Sequence, residues 1–132
     1  MNSALEYLKS CGTFFLATDE GDQPHVRPFG AVCEFENRLY IVTNNQKKVY
    51  QQMKKNGKVE ICGMYKGTWI RVEGEVREDL RREARAAMMD DNTAALSSMY
   101  TIDDNLMTVF YFEQGTATVY SFTAEPQIIP LV

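Results

Sequence analysis

The sequence is poor in several residue types: one histidine, one tryptophan, three cysteines and four prolines in 132 residues. Cys11, Cys33 and Cys62 are odd in number, widely spaced and form no Cys-x-x-Cys pair. Neither a zinc site nor a disulfide framework is therefore expected, and the plain expectation is reduced, mostly buried thiols. The one histidine, His25, stands at a strand start, where a solvated residue is the default reading. Positive charge is also scarce. The net charge is −4, so the chain offers no broad basic surface for nucleic acid, and any anion it binds must be held by a local basic cluster. No apolar run is long enough to span a membrane, and the opening MNSALEYLKSCG has none of signal-peptide length, so a cytoplasmic location is expected. Without an internal repeat, low-complexity tract or Pro/Gly-rich linker, residues 1–132 read as one domain.

What is present is strand-like alternation between short helical stretches. Ser3 followed by Glu6 predicts a capped first helix. Residues 13–18 (TFFLAT) are apolar on both faces and read as a buried strand. After the turn at 19–24, residues 25–35 read as a strand interrupted at Pro28, which places it at an edge or at a bulge. Residues 39–43 form a third strand. Asn44-Asn45 then cap a helix carrying a Val49/Met53 stripe, closed by Asn56-Gly57. Strands follow at 59–65 and 68–77. In the second of these, Ile70, Val72 and Val76 share one face, while Trp69, Arg71, Glu73 and Glu75 share the other. A charged helix over 79–90 and a short one near 93–99 precede two strands, 107–113 and 116–122, joined hairpin-fashion at Gln114-Gly115. Seven strands with few helices predict a mainly β, closed or partly closed antiparallel barrel with peripheral helices.

Three segments carry candidate chemistry. In HVRPFG (25–30), Arg27 and Phe29 point to the same side of their strand; taken alone, Arg27 is a surface residue on an edge. In VTNNQKK (42–48), a helix opens with Lys47 and Lys48. Cations are disfavoured at a helix N-terminus unless an anion is present, and the alternative is a solvated helix face. In GTWIRVEGEV (67–76), Trp69 lies on the polar side of its strand, where it meets an interface or a flat ligand, or covers a helix. Together the three suit a ligand with a phosphate and a flat ring, and flavin mononucleotide (FMN) has both.

The ordered set FFLAT, PHVRPFGAV, LYIVTNNQKKVYQQMKKNGKVEI and GTWIRVEGEV resembles the FMN-binding split-barrel family related to pyridoxamine 5'-phosphate oxidase. The resemblance runs from about Leu5 to Val76 and is weaker in the last two strands. It implies a split β-barrel, an FMN cofactor, and a homodimer with the flavin sites in the interface. It also implies site residues: Arg27, Lys47 and Lys48 toward the phosphate, and Pro28, Phe29 and Gly30 along the ring through their main chain. Val42 and Thr43 would lie at the end of the third strand, and Trp69 would reach across the dimer.

The chain departs from the oxidases proper. It ends AEPQIIPLV, without the second tryptophan and the Arg-x-His segment that grip a pyridoxal substrate. The resemblance is thus to short, general members, which include nitro-compound reductases. It implies an FMN-dependent oxidoreductase acting on a small molecule, with a non-catalytic FMN carrier or sensor as the alternative.

Overall fold

Alternating apolar and polar residues build eight antiparallel strands, and four short helices cover them, in a computed structural model that describes all 132 residues. The chain runs α1 (Ala4–Cys11), β1 (Phe14–Glu20), β2 (Gln23–Phe29), β3 (Val32–Phe35), β4 (Arg38–Asn44), α2 (Lys48–Lys55), β5 (Lys58–Tyr65) and β6 (Thr68–Asp79). It continues through α3 (Arg82–Asp91), α4 (Thr93–Leu96), β7 (Met107–Ser121) and β8 (Gln127–Ile129). The strands follow the order β2-β1-β5-β6-β7-β4-β3, and β8 pairs with β7. This is the mainly β split barrel that the family resemblance implies, with eight strands where the patterning predicts seven. No helix is long and apolar enough to cross a membrane.

Two apolar cores hold it together. The barrel interior gathers Leu16, Ile61, Ile70, Val72 and Phe110, all without solvent exposure, and α1 and α2 close it with Leu8, Val49 and Met53. Burying each such side chain contributes roughly 1.5–3 kcal/mol. A smaller core lies beneath α3 and α4, where Ala84, Met88 and Leu96 meet Ala31, Cys33, Tyr40 and Val109.

Several boundaries differ from expectation. The strand read over 25–35 is two strands, and the break falls at Gly30-Ala31 rather than at Pro28. Pro28 is tolerated because β2 is an edge strand that pairs only with β1. The hairpin expected at Gln114-Gly115 does not exist: β7 runs unbroken from Met107 to Ser121 along β6. Gly115 instead faces Gly74, where a Cβ would fall 2.2 Å from the carbonyl of Gln114. A register shift there leaves Glu113 unpaired as a bulge, which bends the long pair around the barrel. Asp79 ends β6 rather than opening a helix, and β8 is an eighth strand that the sequence reading lacked.

The caps divide in the same way. Ser3 caps α1 as expected, its Oγ accepting from the Glu6 amide at 3.2 Å. At α2, however, neither Asn44 nor Asn45 is the cap; Lys47 holds that place and makes no capping bond. Gly57 is needed for close approach to β6: a Cβ would lie 2.5 Å from the Val76 carbonyl, and Val76 N–H donates to the Gly57 carbonyl at 2.8 Å. The thiols are only partly as expected. None is paired and Cys33 is buried, its pKa pushed up to about 12 by burial, but Cys11 is half-buried and Cys62 exposed.

Candidate functional site

A groove of about 200 Å³ opens where β2 leaves the sheet and α2 begins. One wall is Arg27, Pro28, Phe29, Gly30 and Ala31; the floor is Val42 and Thr43 at the end of β4. Lys47 and Val49 bring in the start of α2, and Ala95, Leu96, Met99 and Tyr100 supply the opposite wall. The fold assembles these because β2 and β4, far apart in strand order, approach each other as the sheet rolls up.

Arg27 is the polar centre. Its alternation partner Phe29 is buried in the barrel core, so the guanidinium is also drawn to the inner side. Nη1 donates to Thr18 Oγ1 at 2.8 Å and to the carbonyls of Leu16 at 3.2 Å and His25 at 3.4 Å. Nη2 donates to Gln52 Oε1 at 2.6 Å. All four acceptors are neutral, and Arg27 forms no ion pair with any carboxylate of the chain. Of the five guanidinium N–H groups, Nε–H and one on Nη2 remain without an acceptor in the chain. Partial burial pushes the Arg27 pKa below its ordinary value, and the group stays cationic at neutral pH.

Around this cation the surroundings favour an anion. Lys47 and Lys48 have no carboxylate partner either, and the first turn of α2 contains no acidic residue. The free backbone N–H groups of an eight-residue helix add their partial positive charge. At the far wall, Tyr100 Oη accepts from Asn44 Nδ2 at 2.9 Å, and its own hydrogen has no acceptor in the chain. This donor set fits a phosphate, and the apolar wall of Phe29, Val42, Leu96 and Met99 fits a flat ring beside it.

Seven of the nine residues expected from the sequence line this groove: Arg27, Pro28, Phe29, Gly30, Val42, Thr43 and Lys47. Lys48 is exposed one residue into α2 and is not part of the wall, so Lys47 is the lysine that faces it. Trp69 is not in the groove of its own chain. It stands on the outer face of β6, stacked on Tyr120 (5.8 Å between centroids, 15° between planes) and packed on Phe122 at 5.0 Å. Two strands separate β6 from β2. His25 also lies outside; it pairs with Glu20 at 3.3 Å.

Sequence reasoning missed the α4 wall, because nothing in TAALSSMY distinguishes a cleft lining from a surface turn. It also missed Gln52, although a signal was there. Gln52 shares the buried stripe of Val49 and Met53, and a polar residue on such a stripe needs a buried partner.

These features define the class: an antiparallel split barrel with an anion-ready, half-apolar groove at one end. The pyridoxamine 5'-phosphate oxidase family model matches residues 2–121, and the chain belongs to that family. It is similar, at 52% identity and a TM-score of 0.91, to a NimC/NimA family protein from Clostridium acetobutylicum, covering 96% of this chain and 88% of that one. A pyridoxamine 5'-phosphate oxidase-related, FMN-binding protein from Nostoc punctiforme shares the fold at 17% identity and a TM-score of 0.68, covering 94% of this chain and 81% of that one. A heme-binding protein from Mycobacterium smegmatis shares it at 14% identity and a TM-score of 0.72, over 98% of this chain and 59% of that one. No match arises among curated proteins.

Proposed function

We propose that the groove binds FMN, with the phosphate on Arg27 and Lys47, and that the protein is a flavin-dependent oxidoreductase acting on a small molecule. The observation that carries this reading is the Arg27 guanidinium, fixed by four neutral acceptors, unmatched by any carboxylate and left with two free donors. Such a half-buried, unneutralised cation is costly to keep unless an anion completes it. The family and the FMN-binding relative support the same ligand.

Bound FMN would accept a hydride and pass electrons to an acceptor. The chain's own residues would do the rest. Arg27 and Lys47 anchor the phosphate; the main chain of Pro28–Gly30 and the side chains of Val42 and Thr43 border the ring. Leu96 and Met99 exclude water from the apolar end, and the Tyr100 hydroxyl can donate to a ligand oxygen.

The working unit in this reading is a homodimer. A groove of about 200 Å³ is smaller than the roughly 300–1,000 Å³ of ordinary ligand sites, so one chain supplies only part of the enclosure. The outer sheet face carries the matching surface: Trp69 and Tyr120, with Phe122 91% exposed and Met64 69% exposed. Apolar exposure on this scale supports an interface between two copies of the chain. Sedimentation is expected to give twice the chain's 15.1 kDa.

A non-catalytic FMN carrier is the second reading, and one observation favours it: the groove is lined by no histidine, thiol or carboxylate to move a proton. The purified protein is expected to be yellow, with a flavin spectrum that bleaches with a reduced nicotinamide cofactor and returns with an acceptor. A flavin that stays oxidised with every reductant would favour the carrier. A colourless protein that takes up no added FMN, or one showing a haem band instead, would end both readings.

A further inference from the structure

Gln52 is 5% exposed, yet its one carbonyl oxygen serves two donors, Thr18 Oγ1 and Arg27 Nη2, each at 2.6 Å. Neither contact is incidental to packing. Thr18 is itself 3% exposed, and its hydroxyl both donates to Gln52 and accepts from Arg27. The three side chains close a ring, and the backbone carbonyls of Leu16 and His25 hold the outer nitrogen. The guanidinium is thereby fixed in plane, with its remaining donors on the Nε–Nη2 edge. A glutamate in place of Gln52 would reach the same nitrogen and pair with it more strongly, as Asp79 does with Arg81 elsewhere in the chain. The amide gives the same geometry without the negative charge.

We propose that Gln52 is a positioning residue, a neutral anchor that aims the Arg27 guanidinium at a ligand oxyanion while leaving its charge available. This rests on the reading of the groove as a flavin-phosphate site. It assigns the discrimination between phosphorylated and unphosphorylated flavin to a residue that touches neither. Holding the guanidinium in advance removes the ordering cost that a free arginine would meet on binding. Exchanging the amide for a carboxylate would keep the hold and cancel the charge.

The test is the affinity of Gln52→Glu for FMN and for riboflavin, with a thermal melt. FMN affinity is expected to fall at least about tenfold while riboflavin affinity stays within about twofold and the melting temperature is held or raised. A purely structural role moves the two flavins together and lowers the melt. FMN affinity within about twofold of the parent, or equal losses for both flavins, would overturn the proposal. If Gln52→Glu folds poorly, Gln52→Met keeps the length and removes the acceptor; about a fivefold loss confined to FMN is then expected, and no loss overturns the proposal. A parent protein that binds neither flavin would instead remove the flavin reading itself.

Discussion

Arg27 and Arg81 are the same residue in two opposite settings. Arg81 meets carboxylates on both sides: Asp79 Oδ2 at 2.9 Å and Glu36 Oε1 at 2.6 Å. Asp79 also accepts from the buried Tyr40 hydroxyl at 2.7 Å, and the Arg81 guanidinium lies over the Phe35 ring. Every charge there has its partner, and the cluster pins the end of β6 to the start of β4. Arg27 meets only neutral oxygens and keeps two donors in reserve. The first arrangement stabilises the fold; the second leaves two donors with no acceptor in the chain. The two also differ in exposure, Arg27 being half-buried and Arg81 exposed, but the useful distinction is what satisfies each guanidinium.

The comparison breaks most visibly at Arg27. On the FMN reading, Arg27→Ala would remove two charge-assisted bonds to phosphate and is expected to lower FMN affinity by about 100-fold, about 2.7 kcal/mol. Folding should change little, because Gln52 keeps its bond from Thr18. Flavin fluorescence titration and a melt read the two effects. Asp79→Ala should do the reverse. It leaves the buried Tyr40 hydroxyl without its acceptor and strips Arg81 of one of its two carboxylates, for a loss of about 3 kcal/mol in urea unfolding with FMN affinity within about twofold. If the two variants exchange these phenotypes, the contrast is wrong.

Acid sharpens it further. Burial opposes the charge of Asp79, but hydrogen bonds from Arg81 and Tyr40 outweigh that and hold its carboxyl at about 2. The unfolded chain, with an ordinary carboxyl near 3.8, binds more protons between those values. Stability contributed by Asp79 is therefore complete above about pH 4 and is lost as pH falls toward about 2, by at most about 2 kcal/mol. The same melts on Asp79→Asn should show a shallower acid slope. The smallest effect separates the lysines: Lys47→Ala should weaken FMN binding about tenfold and Lys48→Ala about twofold, because only Lys47 lines the groove.

How far these features could be read from the sequence depends on whether the determinant is local. The inner face of β6 follows from alternation alone; β1 reads as an apolar run, although its Phe15 is 49% exposed; Lys47 stands out as a cation opening a helix, and Arg27 and Phe29 as neighbours on one side of a strand. The false hairpin at Gln114-Gly115 shows the limit. The glycine that signals a turn in sequence sits inside a strand opposite Gly74, whose own Cβ would fall 2.2 Å from the Gln114 carbonyl, and that pairing is long-range. The break at Gly30-Ala31 has the same character: Ala31 turns into the second core, which does not exist until α3 packs. The α4 wall of the groove was illegible because a four-residue helix carries no usable periodicity. Gln52 was legible in principle, as a polar residue on an apolar stripe, but its partner lies 25 residues away.

The central claim is that an unneutralised arginine, held ready by uncharged groups, selects the phosphate of a flavin. The most direct measurement is the ratio of riboflavin Kd to FMN Kd in the parent and in Arg27→Ala. The account predicts a large ratio in the parent that collapses toward one in the variant. Equal affinities in the parent, or a ratio that survives the loss of Arg27, would contradict it.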